Sequence, residues 1–240
     1  MTATVVALHG FLGAPDVWDA VASRVAAVRW VRPWLPGHGP APAVYDGEFE
    51  AVVDAWLDPV VPAGAVLVGY SMGARLALSY GARHPGRVRA AVLLSGTAGL
   101  SDAAARASRR AEDAARAEAL RRDGVDAFVT AWEAMPMWAS QAALGETVRA
   151  EHRARRRGHT AEGLAWSLGA LGTGSMPDYA GAVGALPTRW LAGARDTKFV
   201  AAAEAHRGAA EAVTVVAGAG HDLVLEAPDA VADAVRAALG

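Results

Sequence analysis

The feature that most constrains this chain is an alternation that runs at both ends and fails in the middle. Short, almost purely apolar runs at 4–8, 28–31, 65–69, 90–94, 189–192 and 213–216 are separated by helical patterns near 17–27, 49–57, 72–84, 200–209 and 229–239. Runs of Val, Leu and Ala without polar alternation suit strands buried on both faces. Their succession with helices predicts an α/β fold with a mostly parallel sheet flanked by helices. From 99 to 185 the β-type runs stop, and helical patterns cover 103–122, 125–134, 144–157 and 161–170, followed by a "GTGSMP" loop at 172–177. The expected organisation is therefore a core of 1–98 and 186–240 with a helical cap inserted at 99–185. Such a cap would lie over the C-terminal edge of the sheet, where open α/β sheets bind ligands.

Composition narrows the function classes. The 240 residues carry a formal charge of -2, which gives no reason to expect a nucleic-acid or membrane partner. Cysteine is absent, so disulfides, thiolate metal sites and thiol catalysis are excluded. The N-terminal "MTATVVALHG" lacks the basic flank and apolar length of a signal peptide, so a cytoplasmic protein is expected, monomeric or weakly homo-oligomeric. Lys198 is the sole lysine, and arginines crowd the insertion in "RASRRAEDAARAEALRR" and "RAEHRARRRGH". Most of these read as solvated helix faces. One or two turned inward would hold an anion, because the guanidinium fork grips carboxylates bidentately.

The chemistry starts at "VGYSMGAR" (68–75), where Ser71 stands between two glycines after an apolar run and before a helical pattern. That strand–turn–helix setting is what a nucleophile elbow requires, and it puts the hydroxyl at a helix N-terminus. An activated serine needs a base, and the base needs an orienting acid. His221 in "AGAGHD" and Asp196 in "LAGARDTKF" supply them, each just past a β-type run as Ser71 is. Asp222 is a rival acid, but an immediate neighbour is poorly placed to buttress the imidazole. The oxyanion hole is expected from the backbone N–H groups of Met72 and of Phe11 in "HGFLG" (9–13). His9 is expected to fix that loop and His38 in "LPGHG" to shape a turn, with His84, His152, His159 and His206 exposed on helices. No histidine pair has metal-ligand spacing, so neither a metal nor another cofactor is predicted.

Together these residues resemble the α/β-hydrolase fold. Within it, "LHGFLG", "LPGHG", "GYSMGARLAL", "PMWASQ", "SLGALGTGSMPDY" and "GARDTKF" resemble the 2-succinyl-6-hydroxy-2,4-cyclohexadiene-1-carboxylate (SHCHC) synthase family of menaquinone biosynthesis, over almost the whole chain. The resemblance implies a lyase that eliminates pyruvate from a polycarboxylate, 2-succinyl-5-enolpyruvyl-6-hydroxy-3-cyclohexene-1-carboxylate. It implies Ser71, Asp196 and His221 as triad, the Phe11 and Met72 amides as oxyanion donors, and Tyr70, Arg75, Arg109, Trp132 and Arg156 as substrate-binding residues. Arg153 competes with Arg156 for register in "RARRRG", and Lys198 matches a family lysine. The chain departs from the family at Trp34-Leu35, where Asp-Leu is usual, at "GHGP", and in lacking an asparagine before "GLAWSL". A serine hydrolase acting on carboxylic esters remains an alternative with the same triad. A non-catalytic receptor or scaffold on this fold is a third reading.

Overall fold

The structure, a computed structural model, describes residues 2–240. Strands β1 (Thr4–Leu8), β2 (Arg29–Val31), β3 (Ala65–Tyr70), β4 (Val88–Leu94), β5 (Thr188–Gly193) and β6 (Ala212–Val216) form one sheet in the order β2-β1-β3-β4-β5-β6. Every pairing is parallel. Successive side chains point to opposite sides, and the central strands β1, β3, β4 and β5 are buried on both, whereas the edge strands β2 and β6 are partly exposed. Val6, Leu8, Leu67 and Leu93 enter one core layer with α2 (Phe49–Leu57) and α3 (Met72–Arg83). Val5, Ala7, Val66 and Val68 enter the other, with Trp18, Val21 and α9 (Pro228–Leu239). The chain passes from β1 to β2 on one side and to β3 on the other, so the loops after β1 and β3 diverge at a topological switch point.

β4 pairs directly with β5, Leu93 opposite Trp190, although nearly a hundred residues separate them in sequence. That intervening chain forms α4 (Ala103–Glu133), α5 (Glu146–Arg157) and α6 (Ala161–Leu171). The helices expected at 103–122 and 125–134 are joined through Gly124, whose φ of 79° and ψ of 171° break the helical geometry. Asp102 caps the start of α4, accepting from the Ala105 N–H at 2.7 Å. Leu120, Phe128, Val129, Leu164 and Leu168 pack with Leu12 of the core in a small apolar cluster of their own.

Several expectations are revised. The helix read over 17–27 is a 3-10 turn at Pro15–Trp18 followed by α1 (Asp19–Ala22), and the stretch closes on a left-handed residue, Ala27 (φ 60°). α7 (Thr197–Glu204) begins and ends earlier than 200–209, since Asp196 stands at its N-cap. The 3-10 segments Pro136–Ala143 and Ala180–Ala185 and the short α8 (Leu223–Glu226) give too little periodicity to read in advance. The four histidines expected to be exposed on helices are not. His159 is buried in the bend after α5, and His84, His152 and His206 are half-buried against Asp54, Asp222 and Trp190 respectively.

Candidate active site

Ser71 occupies the turn between β3 and α3 with φ 52° and ψ −106°, a positive φ that a side-chain-bearing residue adopts only when its surroundings enforce it. The flanking glycines explain the enforcement. A Cβ on Gly73 would lie 2.1 Å from the Leu8 carbonyl oxygen, and one on Gly69 would lie 2.3 Å from that of Gly73. Only a bare backbone lets α3 start this close to β1, so the turn is tight and the serine is pushed up at the sheet edge. Its own N–H donates to Leu94 O at 2.8 Å, which anchors the turn to β4.

His221 Nε2 lies 3.1 Å from Ser71 Oγ, and His221 Nδ1 lies 2.6 Å from Asp196 Oδ2. The loops that carry Asp196 and His221 touch backbone to backbone: a Cβ on Gly193 would stand 2.1 Å from Gly220 O. Ser95 Oγ donates to His221 O at 2.8 Å, fixing the residue from below. Tyr70, Trp138 and Phe199 pack their rings on the imidazole with centroids 5.5, 5.4 and 4.7 Å away. Asp222 faces elsewhere. Its carboxylate caps α8 through the Leu225 N–H at 3.2 Å and lies 3.4 Å from His152 Nε2. The charge-relay geometry therefore runs Asp196–His221–Ser71, with the serine able to give up a proton or attack.

Above Ser71 opens a cavity of ≈690 Å³, walled by the strand-end loops below and by α4, Trp138 and Gly172 of the insertion above. The Met72 and Phe11 N–H groups have no acceptor among the hydrogen bonds of the described residues, and both residues line the cavity. Met72 is the first residue of α3, where an N–H has no intrahelical partner. Ser71 stands at the N-cap of α3, at the positive end of that helix.

The cationic groups sort into free and engaged. Arg75, one turn into α3, is 6% exposed and lines the cavity. It has no carboxylate within salt-bridge distance among the described residues, and its Nη1 donates to Leu171 O at 2.8 Å, at the C-terminus of α6. Burial pushes its pKa down to about 9, and the nearby Arg109 charge adds to the depression. A buried guanidinium with one carbonyl partner has donors left over for a ligand. Arg109 and Arg116 also face the cavity, but both hold Asp113, which is 2% exposed: Arg109 Nε donates to Oδ2 at 2.9 Å and Arg116 Nη1 to Oδ1 at 2.9 Å. Lys198 stands exposed at the mouth.

Of the expected substrate residues, Tyr70, Arg75, Arg109 and Trp132 line the cavity, as do Phe11 and Met72. Arg156 does not. It is 5% exposed, donates to Glu133 Oε1 at 2.9 Å and stacks its guanidinium 4.8 Å from the Trp138 ring, on the far side of that wall residue. Arg153 is also held by Glu133, at 2.7 Å, and points away from the cavity. Glu133 thus draws off both competitors, a pairing that no spacing within α5 announces. Arg116 and Asp113 are cavity residues the sequence reading missed. The signal was available, because 109, 113 and 116 follow the i, i+4, i+7 spacing of one helix face. Among the described residues, no group of three or more His, Asp or Glu side chains is arranged to hold a metal ion.

The chain and its fold are similar to known proteins. The chain matches the Alpha/beta hydrolase family over residues 5–234. A protein of Klebsiella pneumoniae (strain 342) named 2-succinyl-6-hydroxy-2,4-cyclohexadiene-1-carboxylate synthase is 33% identical over 234 residues, spanning 95% of this chain and 90% of its own. The solved structure of MenH from S. aureus superposes with a TM-score of 0.91 at 28% identity, covering 100% of this chain and 94% of that one. A thermophilic esterase from Thermogutta terrifontis, solved with malate bound, superposes with a TM-score of 0.80 at 25% identity over 99% of this chain and 89% of its own.

Proposed function

Because the chain belongs to the alpha/beta hydrolase family, and within it to the 2-succinyl-6-hydroxy-2,4-cyclohexadiene-1-carboxylate synthases, we propose that it eliminates pyruvate from a cyclic polycarboxylate by proton abstraction. Ser71 is the base. His221 takes the serine proton, Asp196 stabilises the imidazolium that results, and the serine oxygen removes the acidic ring proton next to the succinyl carbonyl. The negative charge then moves to that carbonyl oxygen, which the Phe11 and Met72 amides receive. Collapse of this enolate extends the ring conjugation and breaks the ring carbon–oxygen bond; the leaving group departs as the enolate of pyruvate and takes up the proton held by His221 to become pyruvate, with no acyl-enzyme on the path.

The observation that carries this reading is Arg75: a buried, carboxylate-free guanidinium within the cavity of a serine-centred triad. A site for neutral esters has no use for it, whereas a polycarboxylate does. Arg109 assists where its Asp113 pairing leaves donors open, and Tyr70 and Trp132 flank the ring. The insertion at 99–185 acts as a cap on the core of 1–98 and 186–240. The chain is read as a monomer or weak homo-oligomer in the cytoplasm, a setting that suits a soluble anionic substrate.

Ester hydrolysis is the competing reading, favoured by the shared triad and by the fold likeness to the malate-bound esterase. The experiment supplies the isochorismate-derived cyclohexene substrate and follows pyruvate, beside a panel of p-nitrophenyl esters. Pyruvate release that disappears in Ser71→Ala supports the lyase. Fast ester turnover without pyruvate would sink it.

A further inference from the structure

The reaction leaves three buried histidines unused. His9, His38 and His159 lie side by side, with ring centroids 5.2 Å apart for His9 and His38 and 5.3 Å for His38 and His159. They arrive from three places: the loop after β1, the "PGHG" turn at 36–39, and the bend between α5 and α6 of the insertion. A buried imidazole needs hydrogen-bond partners, which His9 and His38 find for both nitrogens, whereas Nε2 of His159 has none among the described residues. Each of the three rings accepts a backbone N–H from one of the converging loops. Leu35 N–H donates to His9 Nε2 at 3.1 Å, Leu12 N–H to His38 Nε2 at 3.3 Å, and Gly39 N–H to His159 Nδ1 at 2.9 Å.

An accepting nitrogen carries no proton, so each ring is neutral with its proton on the other nitrogen. For His9 and His38 that proton goes to Gly10 O at 2.8 Å and Pro36 O at 3.1 Å. Burial keeps all three below the ordinary imidazole pKa, and the Leu12 backbone acts in the opposite sense on His159.

Leu12 is the point of interest. It holds φ at 61°, left-handed for a branched side chain, and is 1% exposed among Leu120, Leu164 and Leu168. Such a conformation persists only where the surroundings over-determine it. The peptide whose N–H His38 grips joins Phe11 to Leu12 and adjoins the Gly10–Phe11 peptide that carries the Phe11 N–H, whose carbonyl accepts from the Gly13 N–H at 3.0 Å, so His38 acts on that amide through the Phe11 backbone. The contact between insertion and turn is equally tight, since a Cβ on Gly37 would fall 2.3 Å from Gly163 O in α6.

We propose that His38 is the positioning residue of the oxyanion loop: its Nε2 holds the Leu12 N–H and so aims the Phe11 N–H at the cavity, while His159 makes docking of the insertion a condition of that aim. The inference rests on the oxyanion role given to Phe11 above. His9 secures the same loop against Leu35, so the three rings form one latch between loop, turn and insertion.

Long-range 1H–15N spectra of histidine-labelled protein read the latch without any turnover. At pH 7.5 His38 is expected to carry its proton on Nδ1 with Nε2 bare, and a proton on Nε2 overturns the proposal. His38→Gln puts an amide oxygen where Nε2 stands, and His38→Ala removes the acceptor. Turnover is measured per folded molecule, normalised by near-ultraviolet circular dichroism, on whichever reaction the Ser71 centre performs: pyruvate release or p-nitrophenyl acetate hydrolysis. His38→Ala is expected to lower kcat by about 10- to 100-fold with KM within about threefold, and His38→Gln to recover to within about fivefold of the parent. An unchanged kcat in His38→Ala overturns the proposal, as does a folded His38→Gln as slow as the alanine variant. Should His38→Ala fail to fold, His159→Ala replaces it, with an expected loss of about 3- to 10-fold in kcat, and no loss overturns the coupling. A protein that shows the tautomer and the glutamine rescue on the ester, yet releases no pyruvate, upholds this inference and defeats the lyase reading.

Discussion

Replacing Arg75 with methionine separates binding from stability, because the structure assigns the arginine a cost in one and a gain in the other. Holding its pKa at about 9, from an ordinary value above 12, corresponds to a penalty on the order of 4–5 kcal/mol for a charge kept in a dry wall. Methionine fills similar volume without that penalty but orphans Leu171 O, which the guanidinium now serves at 2.8 Å. A carbonyl left unpaired costs about 1–3 kcal/mol, so a net stabilisation of about 1–4 kcal/mol is expected. For a chain of this size that is about 2–16 °C in Tm by thermal unfolding of the ligand-free protein. Turnover moves the other way. Losing a buried guanidinium–carboxylate contact costs about 2–5 kcal/mol, so kcat/KM for pyruvate release falls roughly 30-fold to several-thousand-fold. A variant that unfolds more easily than the parent while keeping its kcat/KM refutes the assignment of Arg75 as an anion anchor.

Other outcomes follow from the same geometry. Ser71→Gly is expected to abolish turnover and yet raise stability by about 1 kcal/mol in urea titrations, since glycine accepts the φ of 52° without strain. Gly73→Ala has the opposite character: its Cβ, 2.1 Å from Leu8 O, meets backbone that cannot yield, and a loss of at least about 1–3 kcal/mol together with activity is expected. Acid titration tests the histidine latch. His9 is held at about 3 by burial and by the nearby His159, against the Gly10 carbonyl and Asp16, and burial likewise lowers His38 and His159. A proton taken up by the unfolded chain near pH 6.5 but refused by the folded one means that stability is complete above that pH. It then declines on acidification by up to about 1.4 kcal/mol per pH unit per histidine, down to about pH 3 for His9. A flat stability profile between pH 6.5 and 4.5 contradicts the neutral assignment.

Much of the core was legible because its central strands β1, β3, β4 and β5 are buried on both faces, with little solvent exposure to blur the pattern. All six apolar runs sit in the sheet within a residue or two of their expected ends. The setting of Ser71, Asp196 and His221 was legible for a related reason, since each follows a strand at the same sheet edge. The insertion was harder. Its helices are recognisable from periodicity, yet which of its arginines turn inward depends on tertiary pairing. Glu133, at the end of α4, recruits Arg153 and Arg156 from α5, twenty and twenty-three residues away, and no local rule connects them. His159 illustrates the same limit: a polar residue between two helices reads as solvated, and only the meeting of insertion and "PGHG" turn buries it. Arg116 lay within reach of the helical spacing and was overlooked among the many arginines of the insertion.

The central claim is that Ser71 moves a proton without becoming acylated. A single-turnover experiment with enzyme in excess, quenched on the millisecond scale, can follow pyruvate and the intact protein mass together. The account predicts pyruvate appearing in the first turnover with the protein mass unchanged at every time point. An adduct on Ser71 that rises and decays at the turnover rate would contradict it.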